Sequence, residues 1–237
     1  MALYVIGDLH LSYSEKINKP MDIFGDRWLN HGEQLKNNWE ATEEDTTVIA
    51  GDISWAMNFS ELEPDFAFID ALPGKKIILK GNHDYWWTTV KKLKAFAAAY
   101  PSIEFLHNNS FNVDGISICG TRGWILEPDE PQDEKVLMRE VGRLRESLNS
   151  AKEGERVVFL HYPPITVATR CDEIMAVLHE YGIKRCYYGH LHGKAIKGAL
   201  TGMAEDIEFK LISADFLGFK PLKIDTSYDF KSQECLK

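Results

Sequence analysis

The sequence predicts a layered α/β fold built as one domain over residues 1–237. Three observations carry that reading. Short apolar runs rich in β-branched or aromatic residues alternate with stretches of helical period. A chain that is 44% hydrophobic and 27% charged can bury a sizeable core under a soluble surface. No shift of composition divides the 237 residues.

In chain order the pattern opens with a strand at 2–6 (ALYVI), a helix at 33–44, a strand at 47–50 (TVIA) and a helix at 61–72. A strand at 76–79 (KIIL), a helix at 88–100 and strands at 103–106 and 113–119 follow. Next come a helix at 132–151, a strand at 157–160 (VVFL), a helix at 172–181 and strands at 186–188 (CYY), 207–212 and 222–224. The strand runs are too brief for buried helices and have the composition of buried strands. The clearest helix, 132–151, puts Val136, Val141, Leu144 and Leu148 on one face with charges opposite.

Charge and termini narrow the function. A net charge of -9 argues against extensive contact with a nucleic acid backbone, which needs a basic face. The Lys91, Lys92 and Lys94 group reads as a solvated helix face. The N-terminus MALYVIGDLH lacks a basic lead and reaches Asp8 after too short an apolar run for a signal peptide. No later segment approaches the roughly 18 apolar residues of a membrane span, so a cytoplasmic protein without membrane association is expected. Cys119, Cys171, Cys186 and Cys235 lack metal or disulfide spacing and are read as packing thiols.

Five strand runs end at once in polar blocks: Gly-Asp-Leu-His at 7–10, Gly-Asp-Ile-Ser at 51–54, Gly-Asn-His-Asp at 81–84, His-Tyr-Pro-Pro at 161–164 and Gly-His-Leu-His at 189–192. Ligands in α/β sheets sit beyond the carboxyl ends of strands, so the five loops are expected to converge. Together they offer Asp8, His10, Asp52, Asn82, His161, His190 and His192, hard oxygens and imidazoles suited to first-row divalent metals. That is too many donors for one zinc and right for two neighbouring ions bridged by a carboxylate. Asp52 is the natural bridge, one oxygen to each ion.

This order and spacing resembles the calcineurin-like metallophosphoesterase superfamily, with its Asp-x-His, Gly-Asp, Gly-Asn-His-Asp/Glu, His and Gly-His-x-His blocks, over residues 7–192. The resemblance implies a four-layer αββα sandwich of two mixed β-sheets with the metals at one rim. It implies Asp8, His10, Asp52 and His192 around a first metal and Asp52, Asn82, His161 and His190 around a second, with Mn, Fe or Zn as the ions. His83 would be the unliganded catalytic histidine, an imidazolium that protonates the leaving oxygen or stabilises its charge, or else a hydrogen-bonded rim residue. The reaction implied is hydrolysis of a phosphomonoester or phosphodiester of a small molecule or nucleotide, by in-line attack of a metal-bridging hydroxide. Such a site would draw phosphate to an acidic protein through a focused metal field.

Departures from the pattern bear on the substrate. Serine/threonine phosphatases of the superfamily continue Gly-Asp-x-x-Asp-Arg, whereas here Trp55 and Ala56 stand where the Asp and Arg would be. That loss puts in doubt both a phosphoprotein substrate and the usual partner of His83. Asp84 either orients a ligand or loop, or caps a turn; Tyr162 either hydrogen-bonds substrate or packs. Trp55, Tyr85, Trp86, Trp87 and Trp124 either stack on a nucleobase or aryl group or form a satellite core. Arg122 and Arg170 are either phosphate clamps or solvated surface groups. The competing functions are a metallonuclease and a non-catalytic binding scaffold of the same fold; the intact set of donors favours catalysis on a small phosphorylated substrate.

Overall fold

The computed structural model describes residues 1–124, 133–152 and 154–225. Its strands are β1 (Leu3–Ile6), β2 (Thr46–Ala50), β3 (Lys75–Leu79), β4 (Ile103–Phe105), β5 (Phe111–Val113), β6 (Ile116–Thr121), β7 (Glu155–Leu160), β8 (Arg185–Tyr188), β9 (Gly202–Ala204), β10 (Ile207–Leu211) and β11 (Leu222–Ile224). The helices are α1 (His31–Asn37), α2 (Phe59–Asp70), α3 (Val90–Ala97), α4 (Glu134–Ser150) and α5 (Asp172–Glu180). One sheet runs β11-β1-β2-β3-β4 and the other β5-β6-β7-β8-β10-β9. Each is mixed, parallel within and antiparallel at an edge: β11 in the first, β5 and β9 in the second.

Strand alternation builds three cores and thereby four layers. Leu3, Val5, Val48, Ala50, Ile77 and Leu79 face Ile118, Val157, Phe159 and Tyr187 across the gap between the sheets. Their neighbours Ile6, Ile49 and Ile78 turn outward against Leu35 of α1, Leu62 and Phe66 of α2 and Leu93 of α3. On the far side Val158, Leu160, Cys186 and Tyr188 meet α4 and α5 through Leu137, Val141, Leu144, Ile174 and Leu178. Side chains this size each contribute about 1.5–3 kcal/mol when buried. The αββα sandwich expected from the resemblance is the fold observed, and no helix among the described residues is long and apolar enough to cross a membrane.

Local differences from the sequence reading have local causes. Strand 113–119 is a hairpin: Asp114-Gly115, with φ of 48° and 82°, turns β5 back into β6, and Asp-Gly is the pair that a two-residue turn of this hand prefers. Glu205-Asp206 makes the corresponding turn between β9, which the sequence reading missed, and β10. The first helix stops at Asn37 rather than 44, because Asp45 accepts the Thr42 N–H (2.9 Å) and Trp39 donates to Pro73 O (3.0 Å), closing that stretch as a turn. On α4 the buried stripe uses Leu137 in place of Val136, with Asp133 capping the N–H groups of Lys135 and Val136. Cys119, Cys171 and Cys186 are buried free thiols, as expected of packing cysteines, and Cys235 lies outside the described residues.

Asp65 ties α2 to the site loops. It is buried, accepts the Tyr13 N–H (2.8 Å) and takes a short hydrogen bond from Ser54 Oγ. Burial raises its carboxyl to about 6 despite those two donors. A raised carboxyl contributes stability that is complete below its unfolded value and is lost as pH rises through about 6. Denaturant unfolding of the metal-free protein and of Asp65→Asn at pH 4 and pH 7 should therefore show wild type losing on the order of 2 kcal/mol relative to the variant. A constant difference between the two proteins would refute that assignment.

Both sheets point their parallel strands at one rim. Gly7 donates to Ile212 O (2.8 Å) and accepts from Ala214 N (3.0 Å), a parallel bridge that joins the end of β1 to the extension of β10. Through this seam the loops after β1, β2 and β3 meet the loops after β7, β8 and β10.

Candidate metal centre

The rim brings all seven expected donors together. Asp8, His10 and His192 form one group whose ligand atoms lie within 4.8 Å of one another, and Asp8, Asp52 and His161 form another. Asn82 Oδ1 lies 2.6 Å from His161 Nε2 and 3.1 Å from His190 Nδ1. Asp52 Oδ1 accepts the backbone N–H of His83 (2.8 Å). That leaves Oδ2 facing both groups, 3.7 Å from His10 Nε2 and 3.5 Å from His161 Nε2. One oxygen, rather than one oxygen per ion, thus stands between the two halves.

The backbone is bent to make this possible. Asp8, His10, Asp52 and His190 all have positive φ, between 46° and 73°, a conformation that costs a non-glycine residue about 1–3 kcal/mol and gathers at functional sites. Two glycines admit the carboxylates. A Cβ on Gly81 would collide with the Asp52 carboxylate and with the Asp52 backbone nitrogen, and one on Gly189 with Asp8 Oδ2. Gly81→Ala is accordingly expected to weaken metal binding by roughly 10–100-fold while the chain stays folded, as displaced supports of ligands do; unchanged affinity in a metal titration would contradict it.

The donor chemistry calls for cations. His161 Nδ1 donates to Ala50 O (3.1 Å), and burial keeps the ring neutral, so its Nε2 lone pair faces Asn82 Oδ1 and Asp52 Oδ2. Converging electron pairs of this kind are satisfied by a metal ion. His10 Nδ1 is buried without a hydrogen-bond partner, and burial next to His192 lowers that ring too. Burial lowers His190 to about 3. Positive charge instead collects on His192: burial opposes it, but Asp8 and Asp215 raise the ring to about 10. Burial also opposes ionisation of Asp8, yet His192, His161 and His10 hold it well below the usual carboxylate range. Burial and Asp8 push Asp52 up to about 8.

Supporting groups complete the site. Asp84, fully buried, accepts N–H groups from Gly81 (2.7 Å), Asp52 (3.0 Å), Ile53 (2.9 Å) and Ser54 (3.4 Å), so it fixes two of the ligand loops. Asp215 was not found from sequence. It lies 3.0 Å from His192 Nδ1 and accepts the Gly193 N–H, also at 3.0 Å. The one signal for it is the position after strand β10, where the apolar run 207–212 gives way to Ser213-Ala214-Asp215.

His83 sits beside the donors, its ring 5.8 Å from that of His10 and its Nδ1 3.2 Å from the Tyr85 hydroxyl. Burial and the neighbouring His161 lower it to about 4, which favours the neutral ring. With His10 and His192 it lines a cavity of about 400 Å3.

The sequence profile of the calcineurin-like phosphoesterase family matches residues 1–194. The chain belongs to that family. Among curated proteins, human tartrate-resistant acid phosphatase type 5 is 25% identical over 137 residues, 48% of this chain and 42% of the human protein. The rat protein of the same name is 27% identical over a stretch of the same length. The chain thus spans less than half the length of these relatives. Among solved structures, the phosphopantetheinyl hydrolase of Mycobacterium tuberculosis superposes with a TM-score of 0.58 at 15% identity, covering 96% of this chain and 98% of that one. TT1561 of Thermus thermophilus gives 0.58 at 11% identity, over 94% and 97%. At such identities the likeness is one of fold.

Against the serine/threonine phosphatase pattern, the two departures after Asp52 have structural consequences. Trp55 takes the position of the supporting Asp; its ring packs 4.5 Å from that of His83, and the Tyr85 hydroxyl supplies the polar contact instead. Ala56, where the phosphate-gripping Arg would stand, is fully buried in the helix-side core. Trp86 and Trp87 also belong to that core, whereas Tyr85 is exposed and Trp55 faces the cavity. Trp124 packs edge-on to Tyr162, 5.9 Å away, and Tyr162 lies 4.4 Å from the His190 ring. The two candidate clamps have carboxylate partners: Arg122 pairs with Glu140 (3.4 Å) while lying over Trp124, and Arg170 pairs with Glu205 (3.0 Å) and Asp172 at the surface.

Proposed function

We propose that the chain is a dinuclear metal-dependent phosphoesterase acting on a small phosphorylated substrate. The observation that carries it is the position of Asp52 Oδ2, within 3.7 Å of donors from both halves of the cluster. Asp8, His10, Asp52 and His192 would hold the first ion, and Asp52, Asn82, His161 and His190 the second. Bound there, two divalent cations would supply an acidified water at neutral pH and polarise the phosphoryl group.

The chain's own residues do the rest. Asp215 fixes the His192 ring through Nδ1 and turns Nε2 toward the cluster. Tyr85 engages His83 Nδ1, which leaves Nε2 to hold a proton toward the leaving oxygen as a hydrogen-bond donor. Buried Asp84 holds the loops of Asp52 and Asn82 in register, so the donors meet substrate without rearrangement.

The test is a reconstitution with Mn, Fe or Zn followed by assays on an aryl phosphomonoester, an aryl phosphodiester, cyclic nucleotides and oligonucleotides. Two ions per chain and chelator-sensitive hydrolysis of a small ester are expected. Failure of every ester with every metal, or turnover of oligonucleotides alone, would overturn the proposal. His83→Ala should keep both ions and lose roughly 10²-fold or more in turnover; loss of metal in that variant would make His83 a ligand.

A further inference from the structure

The cavity beside the cluster has a floor of metal-binding and catalytic imidazoles and walls of a different character. Met21, Phe24, Trp28 and Trp55 form those walls, and Lys194 is the one charged side chain among the described residues of the lining, apart from the histidines. Among the described residues no Ser, Thr, Asn, Gln, Asp or Glu side chain lines it. The walls are built in advance: Trp55 Nε1 donates to Met21 Sδ (3.2 Å), and Trp28 packs edge-on against Phe219 at 5.2 Å and His31 at 5.4 Å. Apolar surface continues outside, where Ile23 is 73% exposed, Phe24 62% and Leu29 50%.

From this we infer the substrate class: a phosphate ester whose alcohol portion is apolar, an aryl or alkyl group seated between Trp28, Trp55, Met21 and Phe24. The inference rests on the phosphoesterase reading above. A phosphoryl group held at the donors has this space beside it for an ester substituent, on the His10 and His192 side, and about 400 Å3 is the size of a small-ligand pocket. A nucleobase or sugar placed there would meet Lys194 as its one polar partner outside the histidines among the described residues, and its other donors and acceptors would face apolar side chains, each at a desolvation cost. An apolar group loses nothing of that kind and gains by leaving water. Preformed walls lower the cost of ordering on binding.

The experiment compares phenyl phosphate, 4-butylphenyl phosphate and a nucleoside 5′-monophosphate on the metal-loaded full chain. The two phenols differ little in acidity, so their ratio of kcat/KM reads the wall and not the chemistry. A preference of roughly tenfold or more for the butyl ester is expected, as a few buried methylenes provide, with the nucleotide poorest. Phe24→Asp should bring the butyl-to-phenyl ratio toward one, while Met203→Ser, an exposed change on β9, leaves the ratio as it was. Equal rates for the two phenyl esters, or a nucleotide preferred to both, would overturn the inference while leaving the phosphoesterase reading intact. If no ester is hydrolysed, that reading fails, and binding of 4-butylphenol decides the cavity by itself. Quenching of tryptophan fluorescence that Phe24→Asp abolishes would support apolar recognition, and no quenching would refute it.

Discussion

Asp52→Ala is expected to abolish metal-dependent hydrolysis of an aryl phosphate, by roughly a thousandfold or more, because its Oδ2 faces both halves of the donor cluster. The fold should survive. Burial and Asp8 push this carboxyl up to about 8, so it is largely neutral in the metal-free protein at neutral pH and its removal takes no favourable charge interaction away. The lost acceptor for the His83 N–H costs about 1–3 kcal/mol. Thermal melts with and without metal separate these effects. Wild type should gain stability on adding metal, as any ligand that binds only the folded state confers, whereas the variant should gain little. Activity near wild type, or an undiminished response to metal, would remove Asp52 from the centre.

The blocks that end β1, β2, β3, β7 and β8 were legible because the chemistry demands particular residue types immediately after a strand. Gly81 and Gly189 stand in those same blocks, and the reason for each is seen only in the structure, where a neighbouring carboxylate leaves no room for a Cβ. What escaped depends on tertiary contact. Asp215 reaches His192 only because the extension of β10 pairs with Gly7, a seam between residues more than two hundred positions apart that leaves no local pattern. The hairpin at Asp114-Gly115 was hidden within an apolar run short enough to read as one strand, although its turn dipeptide was in view. Met21, Phe24 and Trp28 lie in short 3-10 turns of a segment without helix or strand period, so nothing in their spacing places them beside the donors. For Arg122 and Arg170 the sequence gives charge but not direction, and direction is set by Glu140 and Glu205.

Asp84→Ala should be the most destabilising single change at the site. The carboxylate is fully buried and accepts from four backbone N–H groups in two loops, those of Gly81, Asp52, Ile53 and Ser54. Alanine leaves these donors without an acceptor in a place closed to water, a loss of about 3–5 kcal/mol when such a buried network is broken. Burial and Asp52 raise Asp84 to about 7, which tempers the loss: part of the cost of holding its charge disappears with the side chain. Asn provides the decisive comparison. Its Oδ1 still accepts from one side, but its NH2 turns donors toward donors on the other, so Asp84→Asn should recover only part of the stability. Metal affinity should follow the same order, wild type above Asn above Ala, because the loops that lose their acceptor carry Asp52 and Asn82. Denaturant melts and metal titrations on the three proteins give both rankings. If Asp84→Ala were as stable as wild type and bound metal as tightly, the loops would be held by other contacts and Asp84 would have no part in positioning the ligands.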